Sequence, residues 1–78
     1  MPDLIRKTPN VMGGEACVGS RRIAVWMLVR ARQLGMHDDA IRSRYEEPLT
    51  EDELAAAWRY YADHPEEIDR AIHENEDD

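Results

Sequence analysis

The sequence predicts a mainly α fold: an N-terminal β-hairpin followed by a helix-turn-helix-like bundle of about four short helices. Three observations predict it. Thr50-Glu51-Asp52-Glu53 is a capping box, and a one-faced apolar stripe of Leu54, Ala57, Trp58 and Tyr61 follows it at helical spacing. Gly35 and Pro65 cut the rest of the stretch from residue 25 to 73 into helix-sized pieces. Before it, Gly13-Gly14 and Gly19-Ser20 divide the chain into short extended segments.

Taken in order, Leu4-Ile5-Arg6-Lys7-Thr8 reads as a strand closed by Pro9, because the residue before a proline is pushed out of the helical region. Ala16-Cys17-Val18 is a second strand, and residues 22–25 start as a third extended piece. The first helix is expected over residues 25–34. It is apolar on most sides (Val25, Trp26, Met27, Leu28, Val29, Leu34), which marks a central buried helix. Gly35 stops it, supplying the left-handed residue that ends many helices. The second spans residues 38–44 or 45, with Asp38 and Asp39 in its first turn, Arg42 and Arg44 in its last, and Ala40, Ile41 and Tyr45 facing inward. The third begins at the Thr50 box. The fourth runs over residues 65–73 from a cap at His64 or Asp63, with Ile68, Ala71 and Ile72 inward. The domain is thus expected over residues 1–73, with the hairpin region at 4–23 and the helices at 25–73. Residues 74–78 read as a frayed acidic tail.

The charge is unevenly spread. Of 78 residues, 10 are Lys or Arg and 17 Asp or Glu, a net of −7. Residues 1–32 carry six cations against two carboxylates, a net of +4, and residues 33–78 carry four against fifteen, a net of −11. A basic front and an acidic rear suggest two partners, or one partner met by opposite faces. A chain this small buries only about 60 to 65% of its unfolded surface, so help from a partner is plausible.

Several classes are excluded. One cysteine allows no internal disulfide and no cysteine cluster for zinc, and fits a reducing, cytoplasmic setting. The apolar run over residues 23–29 is too short to span a membrane, and no signal-type apolar core follows the first cations. His37, His64 and His73 show no ligand spacing, and the first two fall at helix starts, where capping or surface roles are ordinary. Cys17 lacks a sequence-adjacent base and reads as a packed thiol, and Gly13-Gly14 lacks the Lys-Ser/Thr of a phosphate loop. No catalytic residue, metal site or cofactor is expected, and an enzyme is not the reading.

The order Ile5…Thr8-Pro9-Asn10-Val11-Met12-Gly13-Gly14-Glu15-Ala16-Cys17-Val18-Gly19-Ser20-Arg21-Arg22-Ile23-Ala24-Val25 resembles the opening of the DUF433 family. That opening reads as a proline, a Gly-Gly pair, Pro-Cys-Ile, then Gly-Thr-Arg-Ile-Pro-Val. Leu34-Gly35, Ile41…Tyr45, Leu49-Thr50-Glu51-Asp52 and the alanine-rich third helix continue the match over about residues 5–72. Ala16 replaces the proline before the cysteine, and Ser20 and Arg21 replace the glycine and threonine before the arginine. The resemblance implies a helix-turn-helix-like fold with an N-terminal hairpin, often dimeric. It implies a VapB-type antitoxin role in a type II toxin-antitoxin pair, neutralising a toxin with a PIN-like ribonuclease fold.

Two surfaces are candidates. Arg6, Lys7, Arg21 and Arg22 are the candidate DNA contacts, since affinity for nucleic acid comes largely from cation–phosphate pairing. The competing reading is that they pair with the chain's own carboxylates. The helix starts Asp38-Asp39 and Glu51-Asp52-Glu53 would be repelled by phosphates, so DNA binding, as a regulator of its own operon, would use the hairpin. Trp26, Tyr60, Glu66, Glu67 and Arg70 are the candidate dimer or partner interface. Trp26 and Tyr60 lie off their helices' main stripes, and Trp and Tyr are enriched where interfaces bind most tightly. The acidic rear would meet the basic rim of a nuclease as a mimic of RNA phosphate, or an arginine would enter the nuclease's carboxylate cluster and displace its metal; the competing reading is a solvated face and a solubilising tail.

Overall fold

The computed structural model describes residues 4–7, 15–19 and 23–76. Its order is β1 (Ile5–Lys7), β2 (Ala16–Val18), α1 (Val25–Gln33), α2 (Asp38–Ser43), α3 (Glu51–Asp63) and α4 (Pro65–Glu76). The mainly α architecture with an N-terminal hairpin is the one the sequence predicts. The strands are antiparallel, with Ile5 opposite Val18, Arg6 opposite Cys17 and Lys7 opposite Ala16. Of the expected third extended piece, Arg22 lies outside the described residues, Ala24 forms a bridge with Cys17, and Val25 already begins α1. The turns at Gly13-Gly14 and Ser20 lie outside the described residues.

Alternation along the strands sorts the side chains. Ile5 and Val18 face the core together, and Val18 is fully buried. Cys17 lies on the other face, outside the main core cluster, yet is only 3% exposed. Burial, with the nearby Glu15 charge adding to it, pushes its thiol above the ordinary value, so it stays protonated and packed.

α1 occupies the centre, touching α2, α3, α4 and β2. Val25, Leu28, Val29 and Ala31 are its buried residues. Leu34 departs from expectation. It caps α1 rather than continuing it, and its side chain is 67% exposed. The reason is the turn that follows. The N–H of Gly35 donates to the Arg32 carbonyl and that of Met36 to the Ala31 carbonyl, a Schellman closure with Gly35 at φ +99°. Met36 takes the place against the core that Leu34 leaves.

α2 begins after His37, whose backbone is extended and whose side chain makes no capping bond. Ile41 is its one buried residue. Tyr45 is half-buried beyond its end and Ala40 is exposed, so the inward face is narrower than the pattern suggested. The loop to α3 is held by Arg42. Its Nε donates to the Leu49 carbonyl at 2.9 Å, and the Leu49 N–H returns a bond to the Arg42 carbonyl at 3.1 Å.

The capping box forms as the sequence predicts. Thr50 Oγ1 accepts from the Glu53 N–H at 3.0 Å and Glu53 Oε1 from the Thr50 N–H at 2.9 Å. Leu54 and Ala57 are buried, whereas Trp58 and Tyr61 are half-buried at the edge of the core. Trp58 is held there by the Arg32 guanidinium, 4.8 Å above its ring. His64 ends α3, and its carbonyl accepts the first bond of α4 from Ile68 at 3.3 Å. α4 packs through Ile68 and Ile72 and continues to Glu76, three residues beyond the expected end. The Asn75 side chain bonds the Ala71 carbonyl at 2.7 Å, within the segment expected to fray. No helix among the described residues is long and apolar enough to cross a membrane.

Candidate functional site

Residues chosen on separate grounds meet at one place. Lys7 on β1, Trp26 on α1, and Glu67 and Arg70 on α4 line a single surface cleft of about 260 Å³, with Glu15 and Glu74 at its edge. Ile68 and the small side chains of Ala16 and Ala71 form its floor. The two alanines let the cleft open between the hairpin and α4.

Lys7 is the hinge between the two candidate sets. It lies on the same strand face as Ile5, and this turns it toward α4, where its Nζ meets Glu67 Oε1 at 3.0 Å. Tyr60 on α3 completes the group, its hydroxyl donating to the Glu67 carboxylate at 2.8–2.9 Å. The hydrogen bond to Glu67, then that to Tyr60, raises the Lys7 ammonium above its ordinary value. Burial would raise the Glu67 carboxyl, but the hydrogen bonds from Lys7 and Tyr60 outweigh it and hold Glu67 below the ordinary carboxylate value. Burial, with the Glu67 bond, pushes the Tyr60 phenol up. Tyr60 also packs on His64, with ring centroids 4.5 Å apart.

Trp26 is fixed from the other side. Its indole N–H donates to Glu15 Oε2 at 2.8 Å, a part-buried bond to a charged acceptor worth about 1.5–3 kcal/mol. The Lys7–Glu67 pair is more than one-third exposed at both ends, and contributes under about 1 kcal/mol. The indole is therefore held more firmly than the hairpin cation.

The other candidates separate. Arg6 is exposed, and strand alternation turns it away from Lys7, so the two do not form one cationic patch. Arg21 and Arg22 lie outside the described residues. Glu66 is exposed at the start of α4 and does not line the cleft. Asp38, Asp39, Glu51 and Asp52 stand exposed in the first turns of α2 and α3.

Sequence reasoning missed Glu15 and Glu74. Glu15 stands eleven residues before Trp26 with no periodic relation to it, so no local signal connects the two. Glu74 was assigned to a tail, although continuation of α4 places it one turn after Arg70. Among the described residues, no group of three or more His, Cys, Asp or Glu is placed to hold a metal ion.

The comparisons agree with this fold. A family model described as "Protein of unknown function (DUF433)" matches residues 5–61. The crystal structure of a DUF433 member protein from Anabaena variabilis is similar at a TM-score of 0.86 and 45% identity, over 91% of this chain and 69% of that one. No match is found among curated proteins. With the family model covering most of its length and its fold shared with a solved member, this chain belongs to the DUF433 family.

Proposed function

We propose that this chain is an antitoxin-like binding protein that neutralises a PIN-like ribonuclease toxin of a type II toxin-antitoxin pair. One observation carries the reading: the cleft between β1 and α4 joins a fixed tryptophan to three carboxylates. Lys7 is already committed to Glu67, and Arg70 also lines the cleft, so Glu15, Glu67 and Glu74 against two cations leave a surplus of one carboxylate. Such a cleft suits an arginine or lysine side chain. The Trp26 ring can take the cation on its face while the carboxylates take its N–H groups. A nuclease that holds RNA with basic residues at its rim offers side chains of this kind.

Co-expression with the neighbouring open reading frame tests the reading. A stable complex and relief of growth arrest are expected. Absence of a complex together with unchanged toxicity removes it.

A further inference from the structure

A second groove lies on the other side of Trp26, and its charge is reversed. It has a volume of about 310 Å³ and an apolar floor of Ile23, Met27, Ala31, Leu34 and Tyr45. Arg30 and Arg44 stand at its edge, and no carboxylate among the described residues lines it, in a chain with 17 acidic and 10 basic residues. Leu34 is the one large apolar residue that is exposed among the described residues. Arg44 reaches over the Tyr45 ring at 5.9 Å and donates toward Met36 Sδ at 3.8 Å, so a cation is held at the mouth of the groove.

From this we infer that the groove docks an acidic amphipathic helix of a different protein. Met27 on α1 and Leu34 at its C-cap are seven residues apart, about 10 Å, which is the reach of two apolar anchors at i and i+7 on a partner helix. Glutamates or aspartates flanking those anchors would meet Arg30 and Arg44. A second copy of this chain fits poorly. Its own exposed large apolar residue is the same Leu34, so a two-fold contact would bring the arginines of both grooves together. Its acidic α4 end offers no apolar anchor after Ile72, which is already buried. Nucleic acid would meet two arginines but would leave the apolar floor largely unused. The inference stands whether or not the partner is a nuclease, because it concerns a different surface.

The test uses the full chain, 15N-labelled, and a synthetic helical peptide of about 18 residues with leucines at i, i+3, i+4 and i+7 and glutamates around them. Companion probes are the same peptide with lysines for glutamates and a single-stranded RNA of mixed sequence. Shifts centred on Met27, Leu34 and Tyr45 are expected with the acidic peptide. Binding should weaken about tenfold on Leu34→Glu and on Arg44→Glu, both surface changes that circular dichroism can check for folding. Equal binding of the lysine peptide, shifts centred elsewhere, or RNA occupying the same residues overturns the inference. So does light scattering that shows a dimer turned into a monomer by Leu34→Glu, since a second copy would then be the occupant.

Discussion

Lys7 Nζ lies 3.0 Å from Glu67 Oε1, joining the first strand to the last helix. Lys7 belongs to the basic front of the sequence and Glu67 to its acidic rear. The fold brings the two halves of the charge split together, so a cation counted toward nucleic acid is spent on the protein's own carboxylate. The pair's pH dependence follows from its shifts. Lys7 is raised, so its contribution is full below the ordinary lysine value of 10.5 and is lost as pH rises through the folded value. Glu67 is lowered, so its contribution is full above 4.5 and is lost as pH falls through the folded value. Urea unfolding of the wild type and Glu67→Gln should differ by under about 1 kcal/mol between those limits, and the difference should vanish in acid. A difference that grows below pH 4 would contradict the pairing.

Thr50→Ala removes the acceptor for the Glu53 N–H and should cost about 1 kcal/mol, whereas Thr50→Ser should cost little. Chemical denaturation at neutral pH measures both. Equal losses would mean that the threonine methyl, not the cap, matters.

Gly35→Ala should also cost about 1 kcal/mol. A Cβ there would meet nothing within 4 Å, so the cost is one of backbone conformation at φ +99° alone. Gly35→Asn should cost less, since asparagine tolerates left-handed backbone better. A neutral Gly35→Ala would show that the end of α1 can rearrange.

The local features were legible for a shared reason. The Thr50 box, the Gly35 stop and the Pro65 start each depend on residues within four positions, and all three form as read. What failed needed tertiary knowledge. Leu34 was assigned to the core by its hydropathy, but the Schellman turn gives its place to Met36. Ala40 was placed inward by periodicity, yet so short a helix has room for one buried residue. The end of α4 was set by its acidity, while Ile68 and Ile72 had already seated the helix. The cleft was half legible. Trp26, Glu67 and Arg70 were singled out for an interface and Lys7 for DNA. Nothing local shows that they converge, or that Glu15 holds the indole.

Cys17 should resist iodoacetamide in the native protein and react readily in urea, because burial keeps its thiol neutral and inaccessible. Cys17→Ser should destabilise by about 1–3 kcal/mol, by burying a hydroxyl where the thiol packs. Rapid native alkylation would contradict the packing described for β2.

The central claim is that the cleft between β1 and α4 receives a basic side chain of a protein partner. Titration calorimetry of the chain against the product of the neighbouring open reading frame, with Glu74→Arg as the variant, tests it most directly. Glu74 is exposed at the cleft edge, so the variant keeps the fold while reversing the local charge. The account predicts a complex whose affinity falls at least about tenfold in Glu74→Arg and declines with added salt. A complex that Glu74→Arg leaves unchanged, or no complex while promoter DNA is retained at low salt, would contradict it.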